Sequence, residues 1–156
     1  MIIIYHCYGG SHSSILAAAI HVKILPQDRQ PEIKEMFACP LLEQGSPESH
    51  GNIHLIGIDE QGNRVYSMGC KNAFHIINKS LKGIMEIFNL NPQELYFVDT
   101  LPCDNNEMRV GSFLSWQLGL TGLGRPLVIK GSQKAFGDLA RLVEGVKKDL
   151  KVKGVK

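Results

Sequence analysis

The sequence lacks a marked excess of either charge: 17 basic residues against 15 acidic ones leave a formal net charge of +2. That balance creates no strong field for nucleic acid or an anionic membrane, so neither is an indicated partner. The one basic run, Lys147, Lys148, Lys151, Lys153 and Lys156, suits a solvated, fraying helix end, where cations are favoured by the dipole. Long hydrophobic runs are lacking too. The uncharged stretch Val110 to Gly124 is interrupted by serines, a glutamine and glycines, and is too short and polar to span a bilayer. Met1-Ile2-Ile3-Ile4 has no basic leader and reads as a buried strand rather than a signal or anchor. Cysteine is sparse: Cys7, Cys39, Cys70 and Cys103 are scattered, with no Cys-x-x-Cys pair. Reduced thiols in a soluble, cytoplasmic protein are therefore expected, and disulfides are not.

What is present suits one globular domain over residues 1–156, with 147–156 as a fraying basic end. A hydrophobic fraction of 44% and a charged fraction of 21% are ordinary for a folded chain. A domain of this length buries roughly 70% of its unfolded surface. Ile2 to Cys7 reads as a strand, and Ser13 to Val22 as a helix whose Ala17-Ala18-Ala19 run permits close packing on a sheet. From Leu25 to Glu48 four prolines break the chain into turns, with one short helix between Pro31 and Cys39. Ile53 to Ile58 and Arg64 to Gly69 flank a turn-rich linker and predict a hairpin. Phe74, Ile77, Leu81, Ile84, Met85 and Phe88 recur at helical spacing, and Glu94 to Asp99 follows as a short strand. Val110, Phe113, Leu114 and Leu118 mark a helix stopping near Gly119, followed by a glycine-rich link to Arg125. Pro126 to Lys130 reads as a last buried strand, and Ser132 as the N-cap of a closing helix through Leu150. The predicted fold class is α/β: a single doubly wound, mainly parallel sheet with helices on both faces and an added β-hairpin.

Open α/β sheets bind ligands beyond the carboxyl ends of their strands. Three polar clusters are expected there: His6 to Ser14, Asp99 to Asn106 and Lys130 to Lys134. The first is the richest. Gly9 and Gly10 let the backbone turn and approach a ligand, and Ser11, Ser13 and Ser14 offer hydroxyls beside a helix start, where anions are favoured. The spacing does not match the Gly-x-x-x-x-Gly-Lys-Ser/Thr nucleotide loop, because His12 and Ser13 stand at its glycine and lysine positions. Cys7 is a candidate nucleophile, since a thiol near a helix N-terminus is activated toward thiolate. A cysteine phosphatase loop would carry arginine six residues after the cysteine, where this chain has Ser13, leaving Arg109, Arg125 or Lys130 to supply a clamp from elsewhere. The competing structural reading is a tight turn with Ser11 as N-cap and Cys7 as a small buried residue.

No metal site is predicted, because His6 and Cys7 point to opposite faces of a strand and His50-x-x-x-His54 lies near a turn. His21 and His75 read as packed histidines within helices. In the later clusters, Asp99 to Asn106 either helps to hold a ligand or caps the next helix, and Lys130 and Ser132 suit an anion only if they meet the first site in space.

The opening Ile3-Ile4-Tyr5-His6-Cys7-Tyr8-Gly9-Gly10-Ser11-His12-Ser13-Ser14 resembles the bacterial family designated domain of unknown function three-one-eight-nine. So do Leu25-Pro26-x-Asp28-Arg29, Gly57-x-Asp59-Glu60-x-Gly62-Asn63-x-Val65-Tyr66, Leu123-Gly124-Arg125-Pro126 and Gly131-x-Gln133-Lys134-Ala135. The resemblance implies a cytoplasmic protein, mainly of endospore-forming Gram-positive bacteria, and supplies neither an activity nor a cofactor. From the residues, the expected function is binding of a phosphate-bearing or other anionic small ligand by Gly9, Gly10, Ser11, Ser13 and Ser14, with Asp99, Lys130 and Ser132 in support. The alternatives are a small hydrolase or phosphoryl transferase using His12, Cys7 or His6, and a non-catalytic interaction module presenting Leu25 to Glu48.

Overall fold

The computed structural model describes residues 1–39, 41–42 and 50–153. The tail of the Leu25 to Glu48 segment, with Pro40, Pro47 and Glu48, therefore lies outside the described residues, as does Lys156. Four strands, β1 (Ile2–Cys7), β2 (Ile53–Ile58), β3 (Arg64–Gly69) and β4 (Leu95–Asp99), form one mixed sheet in the order β2-β3-β1-β4. β1 pairs in parallel with β3 and with β4, while β2 pairs antiparallel with β3. The hairpin thus sits at one edge, and β1 is central. Five helices are described: α1 (Ser13–His21), α2 (Ile33–Phe37), α3 (Phe74–Ile87), α4 (Asn106–Trp116) and α5 (Thr121–Lys153).

The strand period of two divides β1 between two apolar clusters. Ile3 and Tyr5 join the cluster that holds α1 and the buried stripe of α5, whereas Ile4 joins a second with Met68, Cys70 and, from α3, Phe74, Ile77 and Leu81. Every residue of α1 is buried, so the alanine run serves close packing on all sides. The helix ends without glycine: Lys23 takes the left-handed conformation (φ 62°), and the N–H groups of Val22 and Ile24 return to the carbonyls of Ala18 and Ala19.

The expected last strand is absent. Pro126 to Lys130 lies inside α5, which starts at Thr121, and Ser132 is buried in mid-helix rather than capping its start. The physical reason is a stripe at helical spacing that begins earlier than the strand reading allowed: Val128, Ser132, Ala135, Leu139, Val143, Val146 and Leu150 are all buried. A short apolar run such as Leu127-Val128-Ile129 fits either period, and helix–helix packing decides it. A Cβ on Gly111 would lie 2.7 Å from Gly124 O, one on Gly124 would lie 2.5 Å from Gly111 O, and one on Gly131 would meet Met108. These glycines let α4 and α5 approach closely, so the supposed glycine-rich link is largely helix. Only Gly119, at φ +67°, serves the turn between them. His75, expected to be packed, is exposed on α3.

Candidate functional site

The turn after β1 is seated on the end of β3. A Cβ on Gly10 (φ +74°) would stand 2.4 Å from Gly69 N, and one on Gly69 would stand 2.5 Å from Gly9 O. The parallel ladder runs on past the strands, with Cys70 N donating to Cys7 O and Lys71 N to Tyr8 O, both at 3.0 Å, which sets Lys71 beside the turn. On the other flank Thr100 follows β4. Its N–H and its hydroxyl both donate to His6 O at 2.9 Å, and its Oγ1 lies 3.1 Å from Ser13 Oγ. α4 then crosses above, capped by Asn105, whose side chain accepts from Met108 N and donates to Gly131 O.

These elements enclose a cavity of about 490 Å³. Its floor is Cys7, Tyr8, Gly9, His12 and Ser13; Lys71 and His50 stand on the β3 side; Leu101 and Asp104 follow β4; and Met108, Arg109, Ser112, Phe113 and Gln117 come from α4. It lies beyond the carboxyl ends of β3, β1 and β4, where the sheet geometry led us to expect a ligand. Lys71 and Arg109 are exposed, while Cys7, His12 and Ser13 are buried. The N-cap of α1 is His12, not Ser11, and its side chain makes no capping bond. Ser11 Oγ reaches back to Gly9 O at 3.5 Å, and His12 Nδ1 lies 3.2 Å from Ser112 Oγ.

Within the turn, Cys7 Sγ accepts the N–H of Gly10 at 3.1 Å and lies 3.2 Å from Ser14 Oγ, which in turn accepts from Ser67 Oγ at 2.9 Å. Adjacent to Ser14, Ser13 hydrogen-bonds Asp104. Burial raises the Asp104 carboxyl above its usual range, against the opposing pull of Ser13, His12 and Arg109. Asp104 Oδ1 is buried and has no hydrogen-bond partner among the described residues.

Of the residues singled out in the sequence, Cys7, Gly9, His12 and Ser13 line the cavity, and Gly10, Ser11 and Ser14 lie behind them as the packed and hydrogen-bonded part of the same turn. His6 is on the opposite face of β1, stacked on Phe74 at 4.0 Å between centroids, with Cys70 Sγ 3.7 Å from its Nδ1. Burial lowers its pKa against the nearby Asp99. Asp99 is exposed, accepts from Leu101 N and approaches His6 at 3.8 Å. Lys130 and Ser132 are helical positions of α5 and do not line the cavity. Sequence reasoning did not single out Lys71 or Ser112, took Asp104 only as a member of the Asp99 to Asn106 cluster, weighed His50 only as a metal ligand, and left Arg109 as one of three candidate clamps. The available signal was the helical spacing of Met108, Arg109, Ser112 and Phe113 behind a good cap, Asn105. Among the described residues no group of three His, Cys, Asp or Glu could hold a metal ion, and no helix is long and apolar enough to cross a membrane.

The model of the family described as Protein of unknown function (DUF3189) matches residues 2–148. The chain belongs to this family. The match includes every residue lining the cavity. No curated protein and no solved structure matches the chain.

Proposed function

We propose that this member of the family binds a phosphate-bearing or other anionic small ligand in the cavity above the Tyr8 to Ser14 turn. The observation that carries the reading is the meeting of an α1 start without a side-chain cap, at Ser13, with Lys71 and Arg109 around one cavity. Free first-turn N–H groups and two cations favour an anion, and Gly9 lets it approach the backbone. Ser13, Ser112 and His12 add hydrogen-bonding groups, while Leu101, Met108 and Phe113 supply an apolar wall for the remainder of the ligand. Ser11 and Ser14 support the turn from beneath in this reading, and Asp99, Lys130 and Ser132 act outside it. The scatter of the cysteines along the sequence supports a reducing, cytoplasmic setting.

Thermal unfolding with inorganic phosphate and a panel of nucleotides tests this. A ligand at about one hundred times its Kd should stabilise the fold by about 2.7 kcal/mol. Lys71→Ala and Arg109→Ala should each weaken the effect while leaving the unliganded fold intact. An unchanged melting temperature across the whole panel would remove the reading's support.

A further inference from the structure

Two groups beside the cavity have no part in anion binding as described above. One is a buried thiol on the cavity floor, and the other is a buried carboxyl oxygen lacking a partner beside it. Neighbouring serines connect them. Ser14 contacts Cys7 Sγ at 3.2 Å, and Ser13 hydrogen-bonds Asp104. The Gly10 N–H is directed at Cys7 Sγ from 3.1 Å, and Ser14 in the first turn of α1 reaches the same sulfur, so the thiol sits at the helix start. Arg109, one turn beyond the Asn105 cap, lines the same cavity and stands where an anion clamp is needed, although it is remote in sequence from the turn.

We propose, resting on the anion-binding reading, that the ligand is a phosphomonoester and that the cavity hydrolyses it, with Cys7 as nucleophile and Asp104 as proton donor. Cys7 loses its thiol proton to solvent. The thiolate forms an S–P bond as the P–O ester bond breaks, and the departing oxygen takes the proton of the Asp104 carboxyl. Water then attacks phosphorus, giving one proton to the Asp104 carboxylate, and the S–P electrons return to Cys7. The products are an alcohol and inorganic phosphate, and both groups are restored. Lys71 and Arg109 face the phosphoryl oxygens, and the Leu101, Met108 and Phe113 wall receives an apolar or aromatic alcohol. The carboxyl raised by burial remains a competent acid closer to neutral pH than an exposed aspartate.

Two aryl esters test the chemistry. The wild-type chain should hydrolyse both p-nitrophenyl phosphate and phenyl phosphate, and Cys7→Ser should abolish turnover while still binding inorganic phosphate. Asp104→Asn should cost roughly 10²-fold in kcat on phenyl phosphate, whose leaving group needs a proton, and far less on p-nitrophenyl phosphate. In the unaltered protein, iodoacetamide should alkylate Cys7 faster than Cys39 or Cys70, both pushed up to about 11 by burial, and phosphate should slow it. Phosphate binding without turnover of either ester, or turnover surviving Cys7→Ser, overturns the hydrolysis while sparing the binding reading. Equal losses on the two esters for Asp104→Asn overturn its role as acid. No phosphate binding at all overturns the binding reading itself.

Discussion

Tyr5 and Cys7 stand two residues apart on the same face of β1, and the polar clusters built on them follow different rules. The Tyr5 hydroxyl lies 2.7 Å from His21 Nδ1, His21 Nε2 lies 3.1 Å from Asp59 Oδ2, and Asp59 also accepts from Gln61 N, Asn63 N and Asn63 Nδ2. Asn63 Oδ1 accepts from the N-terminal amine of Met1 at 3.0 Å. The chain of bonds ties α1, β1 and the hairpin together, and Tyr5 and His21 are fully buried. Around Cys7, by contrast, the network stops short. Asp104 Oδ1 has no partner among the described residues, α1 begins without a side-chain cap, and a cavity lies alongside. A satisfied buried network gives rigidity and a unique fold, whereas an incomplete one beside open space has capacity left for a ligand.

The contrast between the clusters is challenged most severely at the seat of the turn. Gly10→Ala places a Cβ 2.4 Å from the Gly69 backbone in a left-handed conformation, and should cost about 3 kcal/mol or more in denaturant unfolding. A near-wild-type midpoint would show that the turn is not seated as described. Next in size is His21→Leu, which strands the buried Tyr5 hydroxyl and one bond of Asp59; a loss of about 2–4 kcal/mol is expected. Phosphate binding should persist in this variant, and its loss would contradict the separation of the two clusters.

The separation also has a pH signature. Burial lowers the His21 pKa, opposed chiefly by its Asp59 hydrogen bond, and burial lowers that of His6 against Asp99. Both histidines bind protons more readily in the unfolded chain, so their stabilising effect is full above the reference value of 6.5 and is lost as pH falls below it toward the folded values. Stability measured from pH 7 down to pH 5 should fall, and more shallowly in His21→Leu. An equal slope in the two proteins would show that His21 does not set this dependence. The smallest effect expected has the opposite sign. Asp104 is raised by burial, so its ionised form opposes folding at neutral pH, and Asp104→Asn should raise Tm by roughly 2–4 °C without ligand. A lowered Tm would mean that the carboxylate is structural.

Much of this was readable in the sequence, and the reasons differ by region. β1, the hairpin and α3 are set by local patterns, namely an apolar run, alternation about a turn, and a helical stripe. The choice of the Tyr8 to Ser14 turn as the candidate site came from β1 leading into α1, because a parallel sheet exposes that turn. The 126–130 segment reads differently in the structure because its short apolar run fits either period, and the helical stripe that begins at Val128 together with the close approach of Gly111 to Gly124 across two helices makes it helical. The same contact brings α4 over the turn. Arg109 was one of three candidate clamps and Asp104 one member of the Asp99 to Asn106 cluster until that packing was known, since nothing within their own segment fixes their place beside the cavity.

On this view the incomplete cluster receives an anion and the complete one does not. Phosphate titration followed by backbone amide NMR distinguishes the two within one sample. Saturable shifts are predicted at Tyr8 to Ser14, Lys71 and Arg109, with Tyr5, His21 and Asp59 unmoved. Shifts centred on the Tyr5, His21 and Asp59 network, or none at the turn at saturating phosphate, would contradict it.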